Sequence, residues 1–178
     1  MSKRRSFRRI SSSWRQVFAG IAAILAAASV AACGSSAGRS SSPAVSTTPT
    51  PSLRTLDGQA VHVPSDRPVV LVFYSIGCAD CAVSTRNVME AARQDGSRAR
   101  YLGVDLDPGV DAATVNRFLD SVGAGGLPTV VDSSGKLAYA YHVSALSEVI
   151  VVDSSGKVAF RAVDPSPQAI LAAVARAA

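Results

Sequence analysis

The 178-residue chain has three cysteines, two histidines and one tryptophan, and aromatic residues make up only 6 % of it. Acids are missing from the first 32 positions, where Lys3, Arg4, Arg5, Arg8, Arg9 and Arg15 stand. Without those six of the 18 basic residues, 12 face 13 acids, a net charge of −1 for the remainder. The formal +5 therefore belongs to a leader, and nucleic-acid binding loses its support. The apolar stretch Phe18 to Val30 falls short of the ~18 residues expected of a spanning helix. A phosphate loop is also excluded: the string Val-Val-Asp-Ser-Ser-Gly-Lys occurs at 130–136 and again at 151–157, both times without the earlier glycine. Two copies are too few for a repeat architecture, so each reads as a strand running into a polar turn.

The amino terminus has a basic region, an apolar region and then small residues, the order of an export signal. Val30-Ala31-Ala32-Cys33 resembles the lipobox of bacterial lipoproteins, which implies cleavage before Cys33 and a lipid on its sulfur. Residues 1–32 are thus expected to form a lipoprotein signal peptide. Arg4-Arg5-Ser6-Phe7 leaves Sec or twin-arginine export open. Residues 33–52 come next as the lipidated cysteine and a disordered Ser/Thr/Pro linker. Its reach is very roughly 25 Å, enough to hold a domain just above a bilayer. The expected location is the extracytoplasmic side of the cell membrane, held by a lipid anchor.

The remainder, 53–178, reads as one globular domain. Thr55 to Val61 carries the Asp57-Gly58 signal of a tight hairpin. Pro68 to Tyr74 is continuously apolar, a strand covered on both faces. Ala82 to Gln94 is the next element, a helix, and Ala99 to Asp105 a second strand. Val115, Phe118, Leu119 and Val122 recur at helical spacing behind Asp111 as cap, with Gly123 as stop. His62 falls in the opening hairpin with its side chain toward water. The chain closes with Ser166 as cap, Pro167 at the first helical position, and Ile170, Leu171 and Val174 on one face. Strands alternating with helices predict an α/β fold.

The chemistry lies in Cys78-Ala79-Asp80-Cys81, at the junction of the apolar strand and the helix after it. Two thiols at this spacing can close a disulfide and open it again. Cys78, at the helix N-terminus, is favoured as thiolate by the dipole and the unpaired amides, and so is the expected nucleophile. Cys81, one turn further in, is the expected resolving thiol. Asp80 opposes the dipole with a negative charge.

Leu56-Asp57-Gly58, the strand Pro68 to Tyr74, the two cysteines, Val104-Asp105, and Tyr141-His142-Val143 ahead of Val149 to Gly156 together resemble a thioredoxin-fold protein. The similarity is to tethered thiol-disulfide oxidoreductases of the TlpA and ResA type, and it spans Leu53 to Ala178. It implies a central mixed β-sheet flanked by helices and dithiol exchange with exported cysteine-containing proteins. A membrane electron donor or acceptor, no cofactor beyond the redox pair and a monomeric state are further expectations.

Two departures stand out. Gly77 replaces the family's tryptophan before the first cysteine, with Ala79-Asp80 between the pair. Ser147 falls where the family has a cis-proline opposite the dithiol. A cis bond before a non-proline residue costs about 2.5–4 kcal/mol, so Leu146-Ser147 is expected to be trans or strained. The Leu146-Ser147-Glu148 loop should therefore differ from the family's substrate loop. Pro128-Thr129 is instead assigned to an earlier strand start. Glu148 is a candidate proton shuttle, or else a solvent-facing residue at a strand start. Tyr74 and Ser75 are candidates for lining the site, with core packing as the other reading of Tyr74. His142 reads as a surface histidine, and Asp105 and Asp107 as turn or capping residues.

Two other functions stay open. Ser147 in place of proline suggests a metal-binding relative of the Sco-type copper proteins, although two thiolates are too few for a closed site. Ser75-Ile76-Gly77-Cys78 is similar to the Thr-x-x-Cys of peroxiredoxins, which would make the chain a peroxidase.

Overall fold

The computed structural model describes residues 52–178. The predicted signal peptide, the Cys33 lipidation site and nearly all of the linker lie outside the described residues. Six residues in the middle of the domain, Val69–Tyr74, form strand β3, and every one of them is buried. β-branched and aromatic residues favour the extended, packed conformation. Burying such side chains contributes about 1.5–3 kcal/mol each.

Two short strands precede it, β1 (Leu53–Arg54) and β2 (Ala60–Val61), paired antiparallel as a separate hairpin. Its turn passes through Gly58 at φ +82, a conformation that suits glycine. Strand β2 stops at Val61, and His62 is exposed as expected. After β3 the chain runs through α1 (Ala79–Asp95), β4 (Arg100–Asp105), α2 (Ala112–Ser121), β5 (Thr129–Val131), α3 (Lys136–Ala140), β6 (Glu148–Val152), β7 (Val158–Val163) and α4 (Pro167–Ala177).

The main sheet runs β5-β4-β3-β6-β7. β3, β4 and β5 are parallel, and β6 and β7 are antiparallel additions, which makes the sheet mixed. One face packs Val70, Val72 and Tyr74 against Cys81, Val88, Leu119 and Ile170 from α1, α2 and α4. The other face packs Leu71 and Phe73 against Leu137 of α3 and Val63. This is the expected α/β architecture of thioredoxin type, a mixed sheet between helices. Helix α3 was not expected: the first Val-Val-Asp-Ser-Ser-Gly-Lys string enters it at Lys136, whereas the second turns back into the β6–β7 hairpin. Ser166 caps α4 by accepting from the Ala169 amide, with Pro167 in the first turn, as read from sequence.

Candidate active site

Helix α1 opens at the dithiol, as expected, and Cys78 itself is the cap. Its backbone is extended, φ −101 and ψ 114, and its sulfur accepts from the Cys81 N–H at 3.3 Å. Cys81, Ser84, Thr85, Val88 and Ala91 form the buried stripe of α1 and bring the second sulfur into the core. Cys78 and Cys81 are joined as a disulfide, with Cα atoms 5.3 Å apart. Cys78 is half-buried, whereas Cys81 is fully buried. Gly77, Ala79 and Asp80 around them are exposed. Reagents from solvent therefore meet the sulfur of Cys78.

The loop from β3 into the dithiol is held by Asp107. Its carboxylate accepts from the Ile76 N–H at 2.7 Å and the Ser75 hydroxyl at 2.8 Å, while Ser75 Oγ accepts from the Gly77 N–H at 3.2 Å. Asp107 thus anchors the approach to the cysteines, a role beyond the expected turn residue. Asp105 is likewise more than a cap, since it ends β4 fully buried with Oδ2 lacking a partner. Desolvation pushes its carboxyl up to about 6; the Asp107 N–H opposes that rise and the Asp107 charge adds to it. Neither role was readable locally, because both depend on the parallel β3–β4 register that sets Asp105 beside Tyr74.

Tyr74 belongs to the core, not to an exposed lining. It is fully buried and its ring stacks on Phe118 with centroids 5.5 Å apart. Burial also pushes its phenol up.

Opposite the dithiol stands Ser147, with Oγ 3.4 Å from Cys81 Sγ. The Leu146-Ser147 peptide is trans and Ser147 has φ +66, so the bond is trans and the residue strained. Pro128 precedes β5 at the sheet edge, as assigned. Leu146 is 41 % exposed beside Ser147.

Glu148 does not face solvent, and its carboxylate is engaged away from the dithiol. It is ion-paired with Arg161 and accepts from the Ser144 and Ala145 amides. Burial pushes its carboxyl up, but the Ser144 amide and the Arg161 guanidinium outweigh that and hold it below the ordinary value. His142 is exposed at φ +51 and lies outside the dithiol site.

Two cavities of about 200 Å³ each lie near the opening hairpin, and no cysteine or Ser147 lines either. Among the described residues no group of three or more His, Cys, Asp or Glu is placed to hold a metal ion. No helix among them is long and apolar enough to cross a membrane.

No family model matches the chain. One relative, the product of the third open reading frame of a mercury resistance operon in Streptomyces lividans, is 37 % identical over 125 residues, 68 % of this chain. The match spans 66 % of that relative's length. Solved structures of similar shape are StoA from Bacillus subtilis and the exposed lipoprotein thioredoxin Etrx1 of Streptococcus pneumoniae. StoA is 15 % identical with TM-score 0.60, covering 68 % of this chain and 93 % of its own. Etrx1 is 25 % identical with TM-score 0.61, covering 71 % and 98 %. A secreted disulfide oxidoreductase of Mycobacterium tuberculosis is 16 % identical with TM-score 0.59, covering 71 % and 96 %. The chain has a thioredoxin-like fold, with a Cys-x-x-Cys pair closed as a disulfide.

Proposed function

We propose that this thioredoxin-fold chain is a thiol-disulfide oxidoreductase that exchanges its Cys78–Cys81 disulfide with dithiols of exported proteins. The observation that carries the reading is the unequal exposure of two bonded sulfurs, Cys78 half-buried at a helix cap and Cys81 buried behind it. A partner thiolate attacks Cys78 Sγ, a mixed disulfide forms, and the electron pair of the broken bond leaves on Cys81. A second partner thiolate then displaces Cys78. The partner ends as a disulfide and the chain as a dithiol, and the reverse sequence reduces a partner. In the reduced state the α1 N-terminus favours the Cys78 thiolate. A surface site beside exposed Leu146 suits a polypeptide partner better than a small molecule.

The tether belongs to the same proposal. Cys33, lipidated after cleavage of residues 1–32, would hold the domain on the extracytoplasmic side of the membrane, within reach of a membrane electron donor or acceptor. Radiolabelled palmitate incorporation that vanishes in Cys33→Ala supports the anchor, and equal labelling of both chains overturns it.

The exchange reading is tested by equilibrating the chain in glutathione buffers and trapping free thiols. A pair that never opens and closes reversibly sinks it. Cys81→Ser should accumulate a mixed disulfide through Cys78, and capture through Cys81 in Cys78→Ser instead would reverse the assigned roles.

A second reading is favoured by the relative from a mercury resistance operon and by Ser147, which leaves no proline ring over the pair. The reduced thiolates would take a soft cation as cargo, Hg(II) or Cu(I), which accept sulfur ligands. Titration of the reduced chain with Hg(II) and with Cu(I), each against excess glutathione, decides. Binding of neither in competition rejects it.

A further inference from the structure

Ser147 occupies a backbone that glycine would accept more readily. Its φ of +66 lies in the left-handed region, where a β-carbon crowds the neighbouring carbonyl. The strain persists because the surroundings fix this backbone. The Ser147 N–H donates to the Phe73 carbonyl at 2.9 Å, and its carbonyl accepts from the Asp164 N–H at 3.2 Å. The same carbonyl accepts from the Ser84 hydroxyl at 3.3 Å, and Ser84 lies one turn after Cys81 on α1. What serine has and glycine lacks is the hydroxyl, and that hydroxyl donates to Cys81 Sγ at 3.4 Å, with both residues buried.

We propose that Ser147 is a catalytic residue whose hydroxyl hydrogen-bonds the Cys81 sulfur as negative charge develops there during disulfide opening. A reductant's thiolate attacks Cys78 Sγ and forms the new S–S bond. The Cys78–Cys81 bond breaks, and its electron pair leaves on Cys81 Sγ. Ser147 keeps its proton throughout and only shares it. A disulfide sulfur is a weak acceptor and a thiolate a strong one, so the contact strengthens as the bond breaks. An interaction stronger in the transition state than in the ground state accelerates the step. Cys81 is sealed from the solvent that would otherwise supply that stabilisation.

The inference deepens the oxidoreductase reading and rests on it for its biological meaning. The test is the rate at which excess dithiothreitol opens the disulfide of the oxidised full chain, followed by acid quench and thiol counting by mass. Parent, Ser147→Gly and Ser147→Ala are compared. Both variants lack the hydroxyl, but glycine relieves the backbone while alanine does not. Hydrogen bonds to charged groups predict opening about tenfold slower in both. Opening of Ser147→Gly at the parental rate overturns the proposal, because the step would then proceed as fast without the hydroxyl. The two readings fail separately: a parent that exchanges with no protein partner, yet whose Ser147 variants open slowly, loses only the protein substrate. Variants that open at the parental rate while the parent still exchanges with proteins lose only the role of Ser147.

Discussion

Glu148 and Arg161 form an ion pair between β6 and β7, and the same two side chains hold the backbone that leads into Ser147. Glu148 accepts from the Ser144 and Ala145 amides, while Arg161 donates to the Tyr141 and His142 carbonyls. The loop facing the dithiol is thus clamped from below by charge.

Arg161→Met should destabilise the domain by about 3 kcal/mol, because it leaves the buried Glu148 carboxylate without its partner. The parent also carries an acid dependence that the variant should weaken. The folded-state carboxyl of Glu148 is lowered below its reference of 4.5, so the stability it lends is present above that value and lost as pH falls through the lower one. Urea unfolding at neutral and acid pH measures both effects, and an unchanged midpoint at neutral pH counts against the clamp.

Asp105 carries the opposite dependence. Its folded-state value is raised from 3.8 to about 6, so its contribution is whole below about 4 and is lost as pH rises through about 6. Asp105→Asn should remove this loss. Relative to the parent the variant gains about 2–3 kcal/mol between pH 4 and pH 7.5, from roughly two units at 1.36 kcal/mol each. Parallel unfolding curves at both pH values would refute the shift.

Gly103→Ala should cost about 1–3 kcal/mol through overpacking. A β-carbon at Gly103 would sit 2.5 Å from Thr129 Oγ1 and 3.1 Å from Tyr74 Cε1. The expected sign is a lower thermal midpoint with the disulfide still formed, and a midpoint equal to the parent's would mean that Thr129 moves aside freely.

Asp107→Ala should cost about 1–3 kcal/mol, from loss of its hydrogen bonds to Ser75 and Ile76. Amide exchange offers the local readout: Ile76 should exchange faster, with Val70 to Phe73 in β3 unchanged. Protection of Ile76 at the parental level would place the restraint elsewhere.

The parts of the fold that were legible in sequence are those decided within a few residues. The run Val69–Tyr74, the Asp111 cap of α2 and the Ser166-Pro167 start of α4 each carry their cause beside them. The dithiol was legible for the same reason. Helix α3 was not, since the string that introduces it also introduces a hairpin. At Asp132 the carboxylate accepts from the Ala138 amide, six residues on and inside the helix. At Asp153 it accepts from Ser155 and Lys157 and closes the turn. Seven identical residues encode the bend, and the residues after them choose the element. The Glu148–Arg161 pair and the burial of Asp105 were illegible because strand register creates them. Ser147 lay between: its position opposite Cys81 came from the resemblance, but the contact of its hydroxyl with sulfur needed coordinates.

The half-open Cys78 and the sealed Cys81 make the pair a site with a single door. After reduction, a bulky maleimide applied to the native Cys33→Ala chain should mark Cys78 and stop, and only denaturation should release Cys81 to the reagent. The domain therefore carries an internal gauge of its own folding, read as the difference between two thiol counts on one sample.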